Sequence, residues 1–259
     1  MKILAIGDVF GKSGLRAVQC NLNALKKQYN ADFTVVNGEN SDMIGILPEQ
    51  ADALFASGAD VITLGNHVWG RRQIMSYIEN ERALLRPHNF SGSAPGRGYE
   101  IFYAAGKRIL VMNLIGRCGM NPGPDNPFHA ATDILTANDG RFDLAILDFH
   151  AEATSEKLAM GYHLDGRVAA VWGTHTHVQT ADEKILPLGT GYITDLGMTG
   201  PRDSVIGSTP ESSLSMFLDS LPGRFAEASG PVMINGACFE IAASGKCVSV
   251  SRINIIPEG

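Results

Sequence analysis

Short apolar runs recur along the first two thirds of the chain, and each one stops at a polar residue. Ile3–Gly7 runs into Asp8, Phe33–Gly38 into Glu39 and Asn40, and Val61–Gly65 into Asn66 and His67. Leu144–Phe149 runs into His150, and Val168–Gly173 into Thr174, His175, Thr176 and His177. Runs this short, bounded by Gly and polar residues, predict β-strands. Amphipathic stretches lie between them. Ser13–Tyr29 carries Leu15, Val18, Leu22 and Leu25 on one face and predicts a helix capped by Ser13. Pro48–Ser57, with Pro at the first helical position, Arg71–Asn80, Phe128–Ala137 and Thr154–Leu164 predict further helices. Strand–helix alternation implies parallel strands with helices on their faces.

The rhythm breaks twice. Tyr99–Ala104 and Arg108–Leu114 predict a hairpin turning at Ala105, Gly106 and Lys107. From Lys184 onward the pattern is mostly β: Ile185–Leu188, Gly191–Thr194, Val232–Ala242 and Val248–Ile256. These strands predict a second, mixed or antiparallel sheet facing the first, and so a layered α/β sandwich. Ser91–Gly98, Gly116–Pro127 and Gly197–Thr209 are Gly/Pro-rich loops and candidate walls of a cleft. The regular β/α rhythm favours a single domain over residues 1–259.

Composition changes this picture little: 44% apolar and 19% charged residues are ordinary for a soluble globular protein. No apolar stretch approaches the roughly 20 residues that span a bilayer. Met1 and Lys2 lead directly into a strand, leaving no room for a signal peptide, so a cytoplasmic protein without membrane partners is expected. The net charge of −6 comes with no Lys/Arg run that could track a nucleic-acid backbone. Small anionic substrates remain compatible once metal cations supply local positive charge. Cys20, Cys118, Cys238 and Cys247 are scattered without a C-x-x-C pair and read as buried free thiols.

The polar residues at the strand ends carry the chemistry. Open α/β sheets bind ligands outside the carboxyl ends of their strands. Asp8 and Glu39 bring carboxylate oxygens, Asn40 and Asn66 carbonyl oxygens, and His150, His175 and His177 imidazole nitrogens. Such a mixed O/N set without thiolate suits manganese, iron or zinc. Seven groups exceed the needs of one tetrahedral ion but suit two ions sharing a carboxylate. Two ions roughly 3.5–4 Å apart form a clamp for phosphoryl hydrolysis, with a bridging hydroxide as the attacking group.

The ordered blocks Asp8, Gly38-Glu39-Asn40, Gly65-Asn66-His67, His150 and Gly173-Thr174-His175-Thr176-His177 resemble the calcineurin-like metallophosphoesterase superfamily. More narrowly, Gly7–Gly11, Asn37–Asn40 and Leu64–His67 look like its bacterial YmdB-like phosphodiesterase subfamily, as do Asn113–Arg117, Asp148–Glu152 and Thr194–Gly200. The resemblance implies a four-layer α/β/β/α sandwich of the metallophosphoesterase type. It also implies two divalent or mixed-valence metal ions bridged by Glu39. Asp8, Asn40 and His177 would hold one, and Asn66, His150 and His175 the other. His67 would be the general acid that protonates the leaving alkoxide. The implied substrates are 2′,3′- and 3′,5′-cyclic nucleotides. Long loops and abundant Gly permit a subunit interface, and a homo-oligomer is expected.

Two positions depart from the broad superfamily: Phe10 replaces a histidine, and Glu39 an aspartate. The lost imidazole leaves a place for the Asn40 carbonyl oxygen and favours manganese or iron over zinc. His88, His129 and His163 match no block and read as structural or surface groups. Arg117 is a candidate for either a phosphate contact or a loop-stabilising role, and Thr180 and Asp182 are candidates to orient the paired imidazoles. Two rival functions use the same centre: a phosphomonoesterase or nuclease, and a metal-dependent regulatory protein that binds cyclic nucleotides.

Overall fold

The computed structural model describes residues 1–121, 123–220 and 225–257. Among these the chain opens with β1 (Lys2–Ile6), α1 (Gly11–Tyr29), β2 (Phe33–Asn37), α2 (Pro48–Ala56), β3 (Val61–Thr63), α3 (Ile74–Asn80) and β4 (Leu84–Leu85). The hairpin β5 (Tyr99–Ala104) and β6 (Lys107–Ile115) follows, then α4 (Pro127–Ala137), β7 (Leu144–His150), α5 (Thr154–Leu164) and β8 (Ala170–Thr174). The rest is β9 (Lys184–Ile185), β10 (Gly191–Ile193), β11 (Gly200–Pro201), α6 (Pro210–Asp219), β12 (Val232–Ile241) and β13 (Cys247–Ile255).

Two mixed sheets result. The first runs β11-β12-β1-β2-β3-β4 with β13 also on β12, and the second β5-β6-β7-β8-β10-β9. Ile3, Ala5 and Val35 of the first sheet meet Ile109, Val111, Ile146 and Trp172 of the second in the central layer of the core. The opposite face of the first sheet, with Leu4, Ile6 and Val36, is covered by Val18, Leu22, Leu54 and Ile78 from α1, α2 and α3. Leu110, Leu147 and Val171 on the outer face of the second are covered by Ile134, Met160 and Leu164 from α4 and α5. This is a four-layer α/β/β/α sandwich. Strands buried on both faces read as continuous apolar runs, which is why the central ones stand out in the sequence.

Of the strands from Lys184 onward, β9 and β10 join the second sheet as expected, but β12 and β13 do not. β12 lies antiparallel to β1, with Ile3 opposite Phe239, and so extends the first sheet. Ala237, Phe239 and Ile241 point into the central layer while Ile234 and Cys238 face the helices, so β12 fits beside β1 on both faces. The second sheet is built instead around β6, β7, β8 and β10, which run parallel.

Two local expectations also shift. The hairpin turns on Ala105 and Gly106 alone, both at positive φ, while Lys107 pairs with Ala104. That is the backbone of a type I′ turn. Helix α1 begins at Gly11 rather than at a Ser13 cap. The distant Glu227 carboxylate accepts from the backbone N–H groups of Lys12 (3.1 Å) and Ser13 (2.8 Å) and from the Ser13 hydroxyl (2.6 Å). A tertiary carboxylate thus satisfies the exposed donors and the positive end of the helix. All four cysteines are free, but only Cys238 and Cys247 are buried; Cys20 and Cys118 are exposed. Among the described residues no helix is long and apolar enough to cross a membrane.

Candidate metal centre

The carboxyl ends of β1, β2 and β3 in one sheet and β7 and β8 in the other meet at one edge of the sandwich, and the seven candidate ligands converge there. His150, the last residue of β7, is wholly buried. Its Nε2 lies 2.9 Å from Asn66 Oδ1, 3.0 Å from His175 Nδ1 and 3.1 Å from Glu39 Oε1. Across the cluster, His177 Nε2 lies 3.3 Å from Asn40 Oδ1 and 4.0 Å from Asp8 Oδ1. Asn40 holds its carbonyl inward because its amide donates to the Met43 carbonyl at 2.9 Å. Gly65 is required by proximity: a Cβ there would stand 2.2 Å from Glu39 Oε2 and 2.3 Å from His150 Nε2.

The hydrogen bonds behind the histidines decide which nitrogen each presents. Thr174 donates its only hydroxyl proton to Asp148 Oδ1 at 2.7 Å, so at 3.0 Å it accepts from His150 Nδ1–H and leaves Nε2 to face the cluster. His175 Nε2–H meets the Glu152 carboxylate at 3.0 Å, which leaves Nδ1 inward. His177 Nδ1–H donates to the Ile206 carbonyl at 3.0 Å, which leaves Nε2 inward. Three imidazole lone pairs therefore point at two carboxylates and two amide oxygens, a gathering of acceptors that only a cation or a proton satisfies. Asp8 Oδ1 makes the same point, being buried with no hydrogen-bond partner. Glu39, His150 and His175 offer ligand atoms within 4.8 Å of one another. The donor set fits a metal centre.

Charge follows the same geometry. Burial alone would lift the Glu39 carboxyl, but His150 and His67 outweigh it and bring it down to about 2. Burial alone would lower His150, yet Glu39, Asp8 and Asp148 raise it, so its surroundings favour a positive charge where the acceptors meet. Burial and the neighbouring His150 push His175 down to about 3. A cation held there would compete with protons for the inward nitrogens, so its loading would strengthen as pH rises.

Asp8 goes the other way: burial, only partly offset by His177 and His150, raises it from 3.8 to about 6. A raised carboxyl contributes stability that is full below its unfolded value and is lost as pH climbs through its folded value. Asp8→Asn is therefore expected to stabilise the metal-free protein by about 2–3 kcal/mol at pH 7 and by little near pH 4. Denaturant titrations of metal-free wild type and variant at the two pH values check this. A variant no more stable than wild type at pH 7 would contradict it.

The backbone of the His-x-His segment is strained. His175 has φ 99° and His177 φ 66°, in the left-handed region that side chains disfavour. Asp195 holds it in place. Its Oδ2 accepts from the Thr176 N–H (3.3 Å) and hydroxyl (2.7 Å) and pairs with Lys157 Nζ at 2.6 Å, both charges being buried. His175 N–H itself donates to Asp8 Oδ2 at 3.3 Å.

Asp148, Thr174, Glu152 and Asp195 are the supports that sequence reasoning gave no role, although their blocks contain them. Thr180 and Asp182 were candidates for that task but bond to each other at 2.7 Å and to the Thr194–Asp195 backbone instead of the imidazoles. Phe10 lies edge-on to His177 at 5.8 Å and fills the wall beside it. Arg117 is exposed, and its backbone N–H donates to Glu156. His163 meets Thr132 Oγ1, while His88 and His129 line a separate cavity of about 890 Å³ that none of the candidate ligands borders.

His67 stands on the rim. Its backbone N–H donates to Glu39 Oε2 at 3.1 Å, and its Nε2 faces the Asn66 amide at 3.3 Å, which leaves Nδ1 to carry the proton of the neutral ring. Glu39, Asn40, His67, His175 and His177 all line one cavity of about 970 Å³. An imidazole beside a ligand cluster, both open to one cavity, can protonate a leaving group on a substrate bound there.

Comparison with known proteins bears on this arrangement. The family described as YmdB-like protein matches residues 4–253. The chain is 44% identical, over 98% of its length and 97% of the relative's, to a 2′,3′-cyclic-nucleotide 2′-phosphodiesterase of Bacillus subtilis (strain 168). It is similar to the crystal structure of a phosphatase from Mycoplasma pneumoniae at TM-score 0.93 and 36% identity, covering 99% of this chain and 93% of that one. A 5′-nucleotidase precursor from Thermus thermophilus shares the fold at TM-score 0.59 and 12% identity, over 99% of this chain and 54% of that one.

Proposed function

Because the chain belongs to the YmdB-like family, we propose that it hydrolyses cyclic nucleotide phosphodiesters at a dinuclear metal centre with His67 as general acid. The chain is a phosphoester hydrolase, the class its named relatives share. The observation that carries the finer reading is the orientation of the three imidazoles, each with its outer nitrogen bonded away from the cluster and its inner lone pair turned into it. In this reading Asp8, Asn40 and His177 hold one ion and Asn66, His150 and His175 the other, with Glu39 shared; the His177–Asn40 approach of 3.3 Å and the His150–Asn66 and His150–His175 approaches of 2.9 and 3.0 Å support it. The oxygen-rich donor set favours iron or manganese over zinc. The name of the Bacillus subtilis relative supports the 2′,3′-cyclic isomer first, with the 3′,5′ isomer as a second substrate.

Two cations held by these residues would supply an activated water and neutralise charge on the phosphoryl oxygens. The chain's residues do the rest. Asn66 orients two groups at once, its carbonyl toward His150 and its amide toward His67. His67 donates its proton to the leaving alkoxide as the ester bond breaks.

Elemental analysis of protein purified without added metal, with turnover of both cyclic isomers measured beside para-nitrophenyl phosphate, tests the reading. Two ions per chain and a clear preference for a cyclic diester over the monoester are expected. A monoester preference would give the centre to a phosphomonoesterase, and tight cyclic-nucleotide binding without turnover would make it regulatory.

A further inference from the structure

The cavity above the ligand cluster has two unlike kinds of lining. Its floor holds Glu39, Asn40 and the histidines, and Ile44, Ile206, Met216, Phe217 and Phe225 add an apolar wall that begins at Ile206, whose carbonyl accepts from His177. A phosphate and the cations that bind it need only the polar lining. The apolar wall is open: Phe217 is 73% exposed and Ile206 53%. Helix α6 contributes to this exposure, since Ser213 is its only buried residue and Leu214, Phe217 and Leu218 face outward. Among the described residues neither Phe217 nor Phe225 stacks on another aromatic ring. Exposed apolar surface continuous with a reaction site marks a place where an apolar part of the ligand is held.

We propose that this wall seats the nucleobase of the substrate against Phe217 and Phe225, with the phosphoryl group over the ligand cluster; the proposal rests on the cyclic-nucleotide reading above. The two phenyl faces match a flat π-system, and the Met216 thioether suits the edge of an aromatic ring. Beyond the floor, the only polar side chains lining the cavity among the described residues are Arg71, Ser208 and Ser213. Arg71 is engaged by an ion pair with Asp42 and by a bond to the Asp42 carbonyl. Few groups remain to read the hydrogen-bonding edge of a base. The seat therefore recognises that a base is present and discriminates little among bases, as stacking platforms do.

The test compares the metal-loaded wild type with Phe217→Ala and Phe217→Tyr on the four 2′,3′-cyclic nucleotides and on glycerol 1,2-cyclic phosphate, which has no base. In the wild type, kcat/KM should agree within about tenfold across the four bases, and KM for the base-free ester should be at least about tenfold higher. Phe217→Ala should raise KM for the nucleotides about tenfold, leave the base-free ester unchanged and keep kcat, while Phe217→Tyr restores wild-type KM. Equal KM with and without a base would overturn the proposal. So would an Ala variant with unchanged KM whose sedimentation shows an oligomer dissociating, which would make the wall an interface between copies. If the base-free ester is cleaved and the Phe217 effects are absent, the seat fails while the diesterase reading stands. If no cyclic diester is cleaved, that reading fails and the proposal falls with it.

Discussion

Glu39→Gln protein, purified beside wild type, is expected to retain under about a tenth of the bound metal and correspondingly little activity, because in the proposed centre a neutral amide would no longer compensate the mutual repulsion of two cations. Both Glu39 oxygens are engaged: Oε1 faces His150 Nε2, and Oε2 accepts the His67 backbone N–H. A glutamine must turn its amide N–H₂ toward one of these, either opposing the His67 donor or pointing protons among the ligands. Asp8→Asn and Glu39→Gln should part in the metal-free state. Asp8 is held up by burial whereas Glu39 is drawn down to about 2, so neutralising Glu39 removes a favourable partner for His150. The Gln variant should lose about 3 kcal/mol at pH 7, a loss that vanishes as pH falls toward about 2, since a depressed carboxyl stabilises only where it is ionised. Elemental analysis and denaturant titration check both halves. A variant with wild-type metal content would remove Glu39 from the bridging position.

His67→Ala should lower kcat by about 10²–10⁴, the span of a lost general acid, while metal content stays at the wild-type level. His67 lines the cavity without joining the inward-facing lone pairs, and its backbone N–H, which supports Glu39, survives the substitution. The loss should shrink for esters whose leaving group is already acidic. Comparing a nitrophenolate with an alkoxide leaving group in the same variant measures this. Equal losses would mean that His67 positions the substrate and does not protonate it.

The strand ends bearing Asp8, Glu39, Asn66, His150 and His175 are readable along the chain because strands buried on both faces are unbroken apolar runs, and a polar residue ending one is conspicuous. The supports behind them are not. Asp148 interrupts Leu144–His150 as one polar residue in an apolar run, and only folding shows that Thr63, Asn37 and Thr174, from three other strands, converge on it. Glu227 caps a helix 214 residues away, a contact no local cap pattern records. Helix α6 escaped notice because its apolar residues lie outward and show no core-facing stripe.

Local order by itself determined the strand and helix types over most of the chain, the identity of the candidate ligands and the chemical class of the centre. Periodicity and residue chemistry are properties of neighbours in sequence, so they survive without a fold. Tertiary structure alone decided that two sheets, not one, bring the ligands together, that β12 joins the first sheet, and which nitrogen each histidine turns inward. Those outcomes depend on hydrogen bonds and packing between segments far apart in the chain, where no residue's own neighbours carry the information.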